Sequence, residues 1–352
     1  MAKTKKLGKD FQEIIDSRDY EAFEKYFDKY EISATDAGKT TCNAFSYRNL
    51  TKRHIQFLAD HGLDVNADCG YGYTSVAFQA YNKENLQCLL DNGADIDHVI
   101  NRVNGTALSR TCTMLNPEAV RNLLDADASV HVPGDISGKS LLDSALSHCD
   151  NIFIPKVLEI SRMLLDAGLM KSDKTDEYVT KIGERFEFFR DSIVPEMVDE
   201  ISAALDELYK LFEVPPVPRR SMHDGMEQII VKGKTWTDQY NELWQSLVPG
   251  NGKAKTVQGE MIRIAGRVTY EILDNGGINW DEDYQSMLQE VLRFMNTYEP
   301  KNLQVIDEIT GIINKINPDS DKAALYRMTE LIVGWVVTHS IPIALGGVLY
   351  MR

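Results

Sequence analysis

The sequence predicts an all-α protein, built as a repeat solenoid with a helical cap and followed by a separate, bundle-like helical domain. Three observations indicate this architecture. Segments of the first half resemble one another at a spacing of about 33 residues, which is typical of stacked helical repeats. Apolar residues in the second half recur at helical spacing, and a proline-rich stretch separates the two halves.

Each repeat is predicted to contain two short helices. The first block of each repeat places a Thr or Ser where a helix begins: "GKTTCNAFS" from 38, "GYTSVAFQA" from 72, "NGTALSRTC" from 104 and "GKSLLDSAL" from 138. The second block carries apolar pairs and then a turn: "IQFLADHGLDVN" from 55, "LQCLLDNGADID" from 86, "VRNLLDADASVH" from 120 and "SRMLLDAGL" from 161. One such unit cannot bury its apolar face, so neighbouring units are predicted to stack.

These blocks resemble the ankyrin repeats, whose pattern is G-x-T-P-L-H-x-A-A followed by V-x-x-L-L-x-x-G-A-D-V-N. The best-matching repeat carries Gly72, Thr74, Val76, Ala80, Leu89, Leu90, Gly93, Ala94, Asp95 and Ile96. The chain departs from the pattern at Ser75 and Ala77, which replace Pro and His, and at Asp127, which replaces the turn glycine. The resemblance covers residues 10–170, with residues 11–27 as a divergent first repeat.

The resemblance implies that the motif residues are structural and that a protein partner binds at variable positions on the concave face. These positions are the hairpin tips and the inner helices. The tips offer Tyr and Arg, residue types that are common in interface hot spots. The candidate partner-binding residues are Tyr71, Tyr73, His98, Arg102 and Asp135.

Four segments are predicted along the chain: a solenoid over 1–170, a helical cap over 171–213, a linker over 214–221 and a helical domain over 222–352. The cap reads as two helices separated by Pro195. The linker "VPPVPRR" has three prolines in seven residues and cannot continue a helix. In the last domain, turn signals such as "PGNGK" and "NPDSD" separate five helical patterns.

One of these patterns, "TVQGEMIRIAGRVTYEILDNGG" over 256–277, has a continuous polar stripe. The stripe is predicted to be the solvated face of a helix, with Glu260 pairing with Arg263 and Arg267 with Glu271. Two glycines, 259 and 266, and two like-charged arginines carry a cost that a close helix crossing or a bound ligand would offset. The candidate ligand-binding residues are Glu260, Arg263, Arg267, Tyr270 and Asp274.

The acidic balance of the chain argues against general binding to nucleic acid or anionic membranes. The formal net charge is -15 and the sequence pI is about 5.0. This balance suits a basic protein partner. The five cysteines form no CxxC or zinc spacing, and no signal peptide is recognised, so we expect a cytoplasmic protein. No motif for a cofactor, a metal or catalysis is present, and no oligomeric state is predicted.

Three functional hypotheses remain open on the sequence. The first is a non-enzymatic protein-binding solenoid, with a C-terminal domain that supplies a second surface or an effector. A bacterial or phage setting in immunity or counter-defence follows only from the resemblance of the stripe helix to segments of uncharacterised bacterial and phage proteins. The second is an anion-binding or enzymatic C-terminal module centred on Glu260, Arg263 and Arg267. The third is an adaptor anchored in a membrane by residues 331–351, which lack charged side chains.

Overall fold

A computed structural model describes residues 2–36, 41–101, 103–134, 136–298 and 303–352. The described chain is all-α, with sixteen α-helices and one two-stranded parallel sheet of β1 (Thr4–Lys6) and β2 (Tyr30–Thr35). It forms two compact units. The first unit comprises the residues up to Arg185 together with Val194–Val217, and the second unit comprises Phe186–Ile193 and Pro218–Arg352.

The first unit begins with a helix pair packed around aromatic rings. Helices α1 (Phe11–Ser17) and α2 (Tyr20–Lys29) correspond to the predicted divergent repeat. Phe11 is fully buried, and its ring lies 5.8 Å from that of Phe23. The sheet flanks this pair, with Thr4 opposite Tyr30. The sequence of β1 has no alternating apolar pattern, because this strand is exposed along its whole length.

The solenoid then continues as helical hairpins of the predicted kind. Its helices are a short 3-10 helix (Ala44–Ser46), α3 (Lys52–Asp60), α4 (Ser75–Gln79), α5 (Lys83–Asp91), α6 (Ala107–Thr113), α7 (Pro117–Asp125), α8 (Leu141–Ser147) and α9 (Ile154–Asp166). Polar caps start them: the Thr106 hydroxyl accepts from the Ser109 N–H, and the Asn116 side chain accepts from the Ala119 N–H. Gly93 ends α5 at φ +86°, and Asp127 reaches the same left-handed region at φ +64°.

Polar links between successive hairpins fix the stacking of the repeats. The Asn66 amide donates to the Gly93 carbonyl at 3.0 Å and accepts from the Asp95 N–H at 2.8 Å. The Asp97 carboxylate accepts from the Ser129 N–H at 3.1 Å. These bonds join one hairpin tip to the next, so the tips line up along one edge of the solenoid.

Two longer helices, α10 (Thr175–Phe189) and α11 (Pro195–Phe212), follow the repeats. Pro195 occupies the first turn of α11, where its missing N–H costs no helical hydrogen bond. Helix α11 packs on α9 through a buried stripe that includes Leu205 and Leu208. Residues 186–193 pack with the second unit, although the sequence had assigned them to the cap.

The second unit is a helical bundle of α12 (Trp236–Leu247), α13 (Val257–Leu273), α14 (Glu282–Tyr298), α15 (Leu303–Ile313) and α16 (Lys322–Thr338). Helix α13 contacts α12, α14 and α16 and is the central helix. Thr235, Thr256 and Asp321 cap α12, α13 and α16 through their side-chain oxygens. The five helices match the five helical patterns of the sequence.

Residues 341–352, part of the segment considered as a membrane anchor, return along α13. Helix α16 ends at Thr338, and the Val257 N–H then donates to the Ile343 carbonyl at 2.8 Å. The Gln258 amide donates to the Ile341 carbonyl at 2.7 Å and accepts from the Ile343 N–H at 3.1 Å. Within the described ranges, no helix has the length and apolar content needed to cross a bilayer.

Candidate functional site

The hairpin tips of the solenoid present three of the five predicted partner-binding residues. Tyr71 is 62% exposed and has φ +56°. Its backbone carbonyl accepts from the Asn104 amide of the next tip. Tyr73 is half-buried, and His98 lies 3.9 Å from the Asp95 carboxylate. The other two predicted residues, Arg102 and Asp135, lie outside the described residues.

Exposed apolar side chains accompany Tyr71 along this edge. Val103 is 61% exposed and Ile136 is 72% exposed, each at the tip that follows in the chain. Scattered apolar residues are common on surfaces, but Tyr71 and Val103 each lie three positions before a helix N-cap, and Ile136 lies four before the next one. The tips therefore form an apolar edge that a partner can cover.

A groove runs across the short first helices of consecutive repeats, which form the face predicted to be concave. Its volume is about 470 Å³. We call it the inner-helix groove; it is lined by Ser46, Tyr47, Arg48, Asn49, Ala77, Phe78, Tyr81, Arg110, Thr111, Met114, Asn116 and Ala119. None of these lining residues is acidic, so the groove differs in charge from the chain as a whole.

Arg110 is the central charged residue of the inner-helix groove. Its guanidinium carbon lies 4.1 Å from the ring centroid of Tyr73 and 4.3 Å from that of Phe78. Its Nε donates to the Met114 sulfur at 3.4 Å, and its buried Nη1 has no acceptor among the described residues. Burial lowers the pKa of Arg110, although the group stays charged at neutral pH. A guanidinium that contacts two rings and has a donor without an acceptor can bind a carboxylate.

Sequence reasoning missed Arg110 and Phe78, although a signal for both was present. They occupy corresponding places on α6 and α4, about one repeat apart, where an inner helix faces the groove. An arginine at such a position is costly unless it has a partner or a functional use. The repeat register alone could have found it.

In the second unit, the structure buries the part of the α13 stripe that was expected to be solvated. Glu260 is 0% exposed and Arg263 is 2% exposed, so the prediction of a wet face is wrong for this pair. The predicted ion pair does form: Arg263 Nη2 donates to Glu260 Oε1 at 2.6 Å, and Arg263 Nε donates to Glu260 Oε2 at 2.9 Å. Burial alone would lower the pKa of Arg263, but the hydrogen bonds that it donates to Glu260 leave the pKa raised.

Residues 341–352 complete this buried pair. The Tyr350 hydroxyl donates to Glu260 Oε1, and the Ala254 N–H donates to Glu260 Oε2 at 2.8 Å. Arg263 Nη2 also donates to the backbone oxygen of Arg352 at 3.0 Å. Each charged group is thus satisfied within the protein. An anion at Arg263 would have to displace Glu260.

The two glycines of the stripe are explained by a close crossing of α12 and α13. A Cβ on Gly259 would lie 2.9 Å from the Leu247 carbonyl oxygen. A Cβ on Gly266 would overlap the Trp244 ring and the Tyr240 hydroxyl. The cost of glycine in a helix is therefore offset by tight helix packing.

The remaining stripe residues divide between a loop contact and the surface. Glu271 is 2% exposed and forms no ion pair with Arg267, so the predicted pairing of these two is wrong. It accepts instead from the Asn279 N–H at 2.6 Å and the Asn275 amide at 3.1 Å. Burial alone would raise the pKa of Glu271, but these bonds lower it. Arg267 is half-buried, whereas Tyr270 and Asp274 are exposed at the end of α13.

In the part of the chain that the structure describes, no three His, Cys, Asp or Glu side chains cluster in a way that could hold a metal ion. Burial raises the pKa of the Cys69 and Cys149 thiols to about 12. Neutral, buried thiols are poor nucleophiles and poor metal ligands.

The fold and both sites define a class of protein: a helical-repeat solenoid with a grooved inner face, joined to a helical bundle. No protein-family model and no curated protein sequence matches the chain. Among solved structures, the chain is similar to an ankyrin repeat domain from Acinetobacter baumannii AYE, with 21% identity and a TM-score of 0.38. The match covers 56% of this chain and 96% of that one. The repeat assignment itself therefore rests on the capped helices and turns described above.

Proposed function

We propose that the chain is a non-enzymatic, cytoplasmic protein-binding protein, and that the inner-helix groove and the hairpin tips form its principal binding surface. The carrying observation is Arg110, whose guanidinium carbon lies close to two aromatic rings and whose buried Nη1 has no acceptor among the described residues. Buried donors normally have hydrogen-bond partners. A donor that lacks one beside a groove therefore favours a ligand that supplies the acceptor.

The chemistry of the groove favours a carboxylate-bearing segment of the partner. Arg110 and Arg48 are the charged residues that line it. Tyr81 and Met114 add apolar surface, and Met114 is 65% exposed. An extended segment with an acidic residue beside an apolar one would satisfy both features. The net charge of the chain suggested a basic partner; the groove, being locally positive, favours an acidic segment instead.

The tips would contact a second part of the same partner. Tyr71, Val103 and Ile136 present apolar surface on consecutive hairpins, and the Asp95 and Asp97 carboxylates lie close by. Basic residues of the partner would meet these acids at the rim, where charges set orientation and association rate more than affinity.

Quantitative capture from lysate tests the proposal. The full chain and its Arg110→Ala variant would serve as baits, with partners quantified by mass spectrometry. Arg121→Ala is the matched control, because Arg121 lies on the outer helix α7 and pairs with exposed Glu159. We expect Arg110→Ala to reduce a partner by about tenfold or more, since loss of a charge-assisted bond costs about 1.5–3 kcal/mol. The control should retain that partner.

Two further arms separate the parts of the surface. Replacing the contacted Asp or Glu of the partner by Asn or Gln should weaken binding to the wild type but leave binding to Arg110→Ala unchanged. Tyr71→Ala combined with Tyr73→Ala should weaken the same partner. Equal capture by the wild type and all these variants would contradict the proposal.

The second unit is proposed to add a second binding surface or an effector, in bacterial or phage immunity or counter-defence. The sequence resemblance of α13 to bacterial and phage proteins supports this part of the proposal. The boundaries 1–170, 171–213, 214–221 and 222–352 likewise remain predictions. Limited proteolysis that leaves a stable fragment ending near residue 217 would support them.

A further inference from the structure

A second cavity, independent of the proposed partner surface, lies within the second unit between α12, α13 and α16. Its volume is about 310 Å³, at the small end of sites that hold small molecules. We call it the aromatic cavity; it is lined by Trp236, Thr237, Tyr240, Asn241, Gly266, Thr269, Tyr270, Asp274, Tyr326 and Thr329. Four of these residues are aromatic, and one is acidic.

The rings meet from three helices. The ring centroids of Trp236 in α12 and Tyr326 in α16 lie 5.7 Å apart with an interplanar angle of 72°. Tyr270 in α13 is 63% exposed, which is unusual for a large ring without a packing role. Tyr240 is half-buried, and burial raises its pKa, so it keeps a neutral phenol. The cavity is thus lined by one indole and three phenol rings from three helices.

The charge of the cavity is negative. Asp274 is the acidic residue among those that line it, and it caps the C-terminal end of α13, where the helix dipole is also negative. No arginine or lysine contributes to the lining. The Thr269 hydroxyl is buried without a hydrogen-bond partner among the described residues. These features disfavour an anion, the ligand that the stripe residues had suggested.

We propose that the aromatic cavity binds a small organic cation of the quaternary-ammonium type. Aromatic faces attract such cations through their quadrupoles, and desolvation in a cavity strengthens this attraction. Asp274 adds an opposite charge at the rim. The chain already shows one such contact at this rim, because the ammonium of exposed Lys322 lies 4.9 Å from the Tyr326 ring centroid.

A pair of isosteres tests the proposal on the full chain. Choline carries a trimethylammonium group, and 3,3-dimethyl-1-butanol has the same shape without the charge. Binding would be followed by the NMR shift of the Trp236 indole during titration. We expect choline to bind at least about fivefold more tightly than the alcohol, which corresponds to the contribution of a cation–π contact at a partly exposed site. Equal binding of the two compounds would mean that the cavity recognises apolar shape and not charge, and it would overturn the proposal. The absence of binding by either compound would also overturn it.

Three variants locate the site. Asp274→Asn should weaken choline about threefold or more, whereas Asp319→Asn, an exposed control with the same change of charge, should not. Lys322→Met should tighten choline, because it removes a competing cation beside Tyr326. Trp236→Leu, measured by isothermal titration calorimetry because it removes the NMR probe, should abolish the preference for choline over the alcohol. Equal weakening by Asp274→Asn and Asp319→Asn would indicate nonspecific charge attraction and contradict the site.

Discussion

Arg263 in the second unit and Arg110 in the first lie beside aromatic rings, but different groups satisfy their charges. Arg263 is 2% exposed, 6.0 Å from the Tyr350 ring centroid, and bonded to Glu260 and to a backbone oxygen. Arg110 is half-buried, nearer to its rings, and has an Nη1 without an acceptor among the described residues. The first arginine has every partner within the chain. The second lacks one, which makes it the better candidate for recognition.

Removing Glu260 should have the largest effect on stability. Glu260→Ala leaves Arg263 charged and buried without its carboxylate, and we expect the second unit to lose about 3–5 kcal/mol of its free energy of unfolding. Urea unfolding followed by tryptophan fluorescence measures this, since all four tryptophans (Trp236, Trp244, Trp280 and Trp335) belong to the second unit.

The control for this prediction removes both charges. Glu260→Met combined with Arg263→Met should cost less than Glu260→Ala alone, because no uncompensated charge remains in the core. An additive loss in the double variant would mean that packing, rather than charge pairing, explains the effect of Glu260→Ala.

The same substitution at the two arginines should separate structure from recognition. Arg263→Met should destabilise the second unit by about 3 kcal/mol or more, because it strands buried Glu260. Arg110→Met keeps an apolar stem between the rings and should change the stability of the first unit by less than about 1 kcal/mol. Hydrogen exchange of peptides covering α6 measures the latter. A large loss in Arg110→Met would make Arg110 a structural residue and remove the basis of the proposed surface.

The sequence predicted the repeats well because their signals are local. A polar cap, an apolar pair and a turn residue lie within one repeat, as with Asn82, Leu89 and Gly93. The five helices of the second unit were predictable for the same reason. The ankyrin resemblance predicted which face binds a partner, but it did not single out Arg110.

The burial of Glu260 and Arg263 was not predictable because its cause is distant in the chain. Ninety positions separate Glu260 from Tyr350, whose hydroxyl completes the pair. Read locally, a carboxylate and an arginine three residues apart indicate a solvated helix face. Residues 341–352 reverse that interpretation by covering the face, and their apolar sequence favours a buried or membrane-bound segment without specifying where it packs.

Two glycines of the second unit, one in α13 and one in α16, give a smaller test of its packing, with effects of opposite sign. Gly266→Ala should destabilise by about 1–3 kcal/mol, because the added methyl group overlaps the Trp244 ring across the helix crossing. Gly334 in α16 has no atom within 4 Å of an added Cβ. Gly334→Ala should therefore stabilise by about 0.5–1 kcal/mol through helix propensity. Equal changes in the urea midpoint would contradict the close crossing of α12 and α13.

The smallest expected effect is a difference in pH response between the two units. His54 in the first unit is fully buried, and burial, with Arg18 and Arg53 nearby, lowers its pKa to about 4. The unfolded chain therefore takes up the proton first, and stability is lost as the pH falls below about 6.5 towards 4. Between pH 6.5 and 5.5 the first unit should lose about 1 kcal/mol. The lowered pKa of Glu271 stabilises the second unit at neutral pH. That stability is lost only as the pH falls through about 4.5, where the carboxylate protonates in the unfolded state.

Hydrogen exchange of peptides from α3, compared with tryptophan fluorescence from the second unit, would measure the two responses in one sample. His54→Gln is the diagnostic variant, because an amide can still accept from the Thr51 N–H, which His54 Nδ1 does at 3.0 Å. We expect His54→Gln to flatten the pH dependence of α3 opening between pH 6.5 and 5.5 and to leave that of the second unit unchanged. If the variant retained the wild-type slope, the acid sensitivity of the first unit would originate in other groups. The contrast between the units would then have to be sought in their carboxylates.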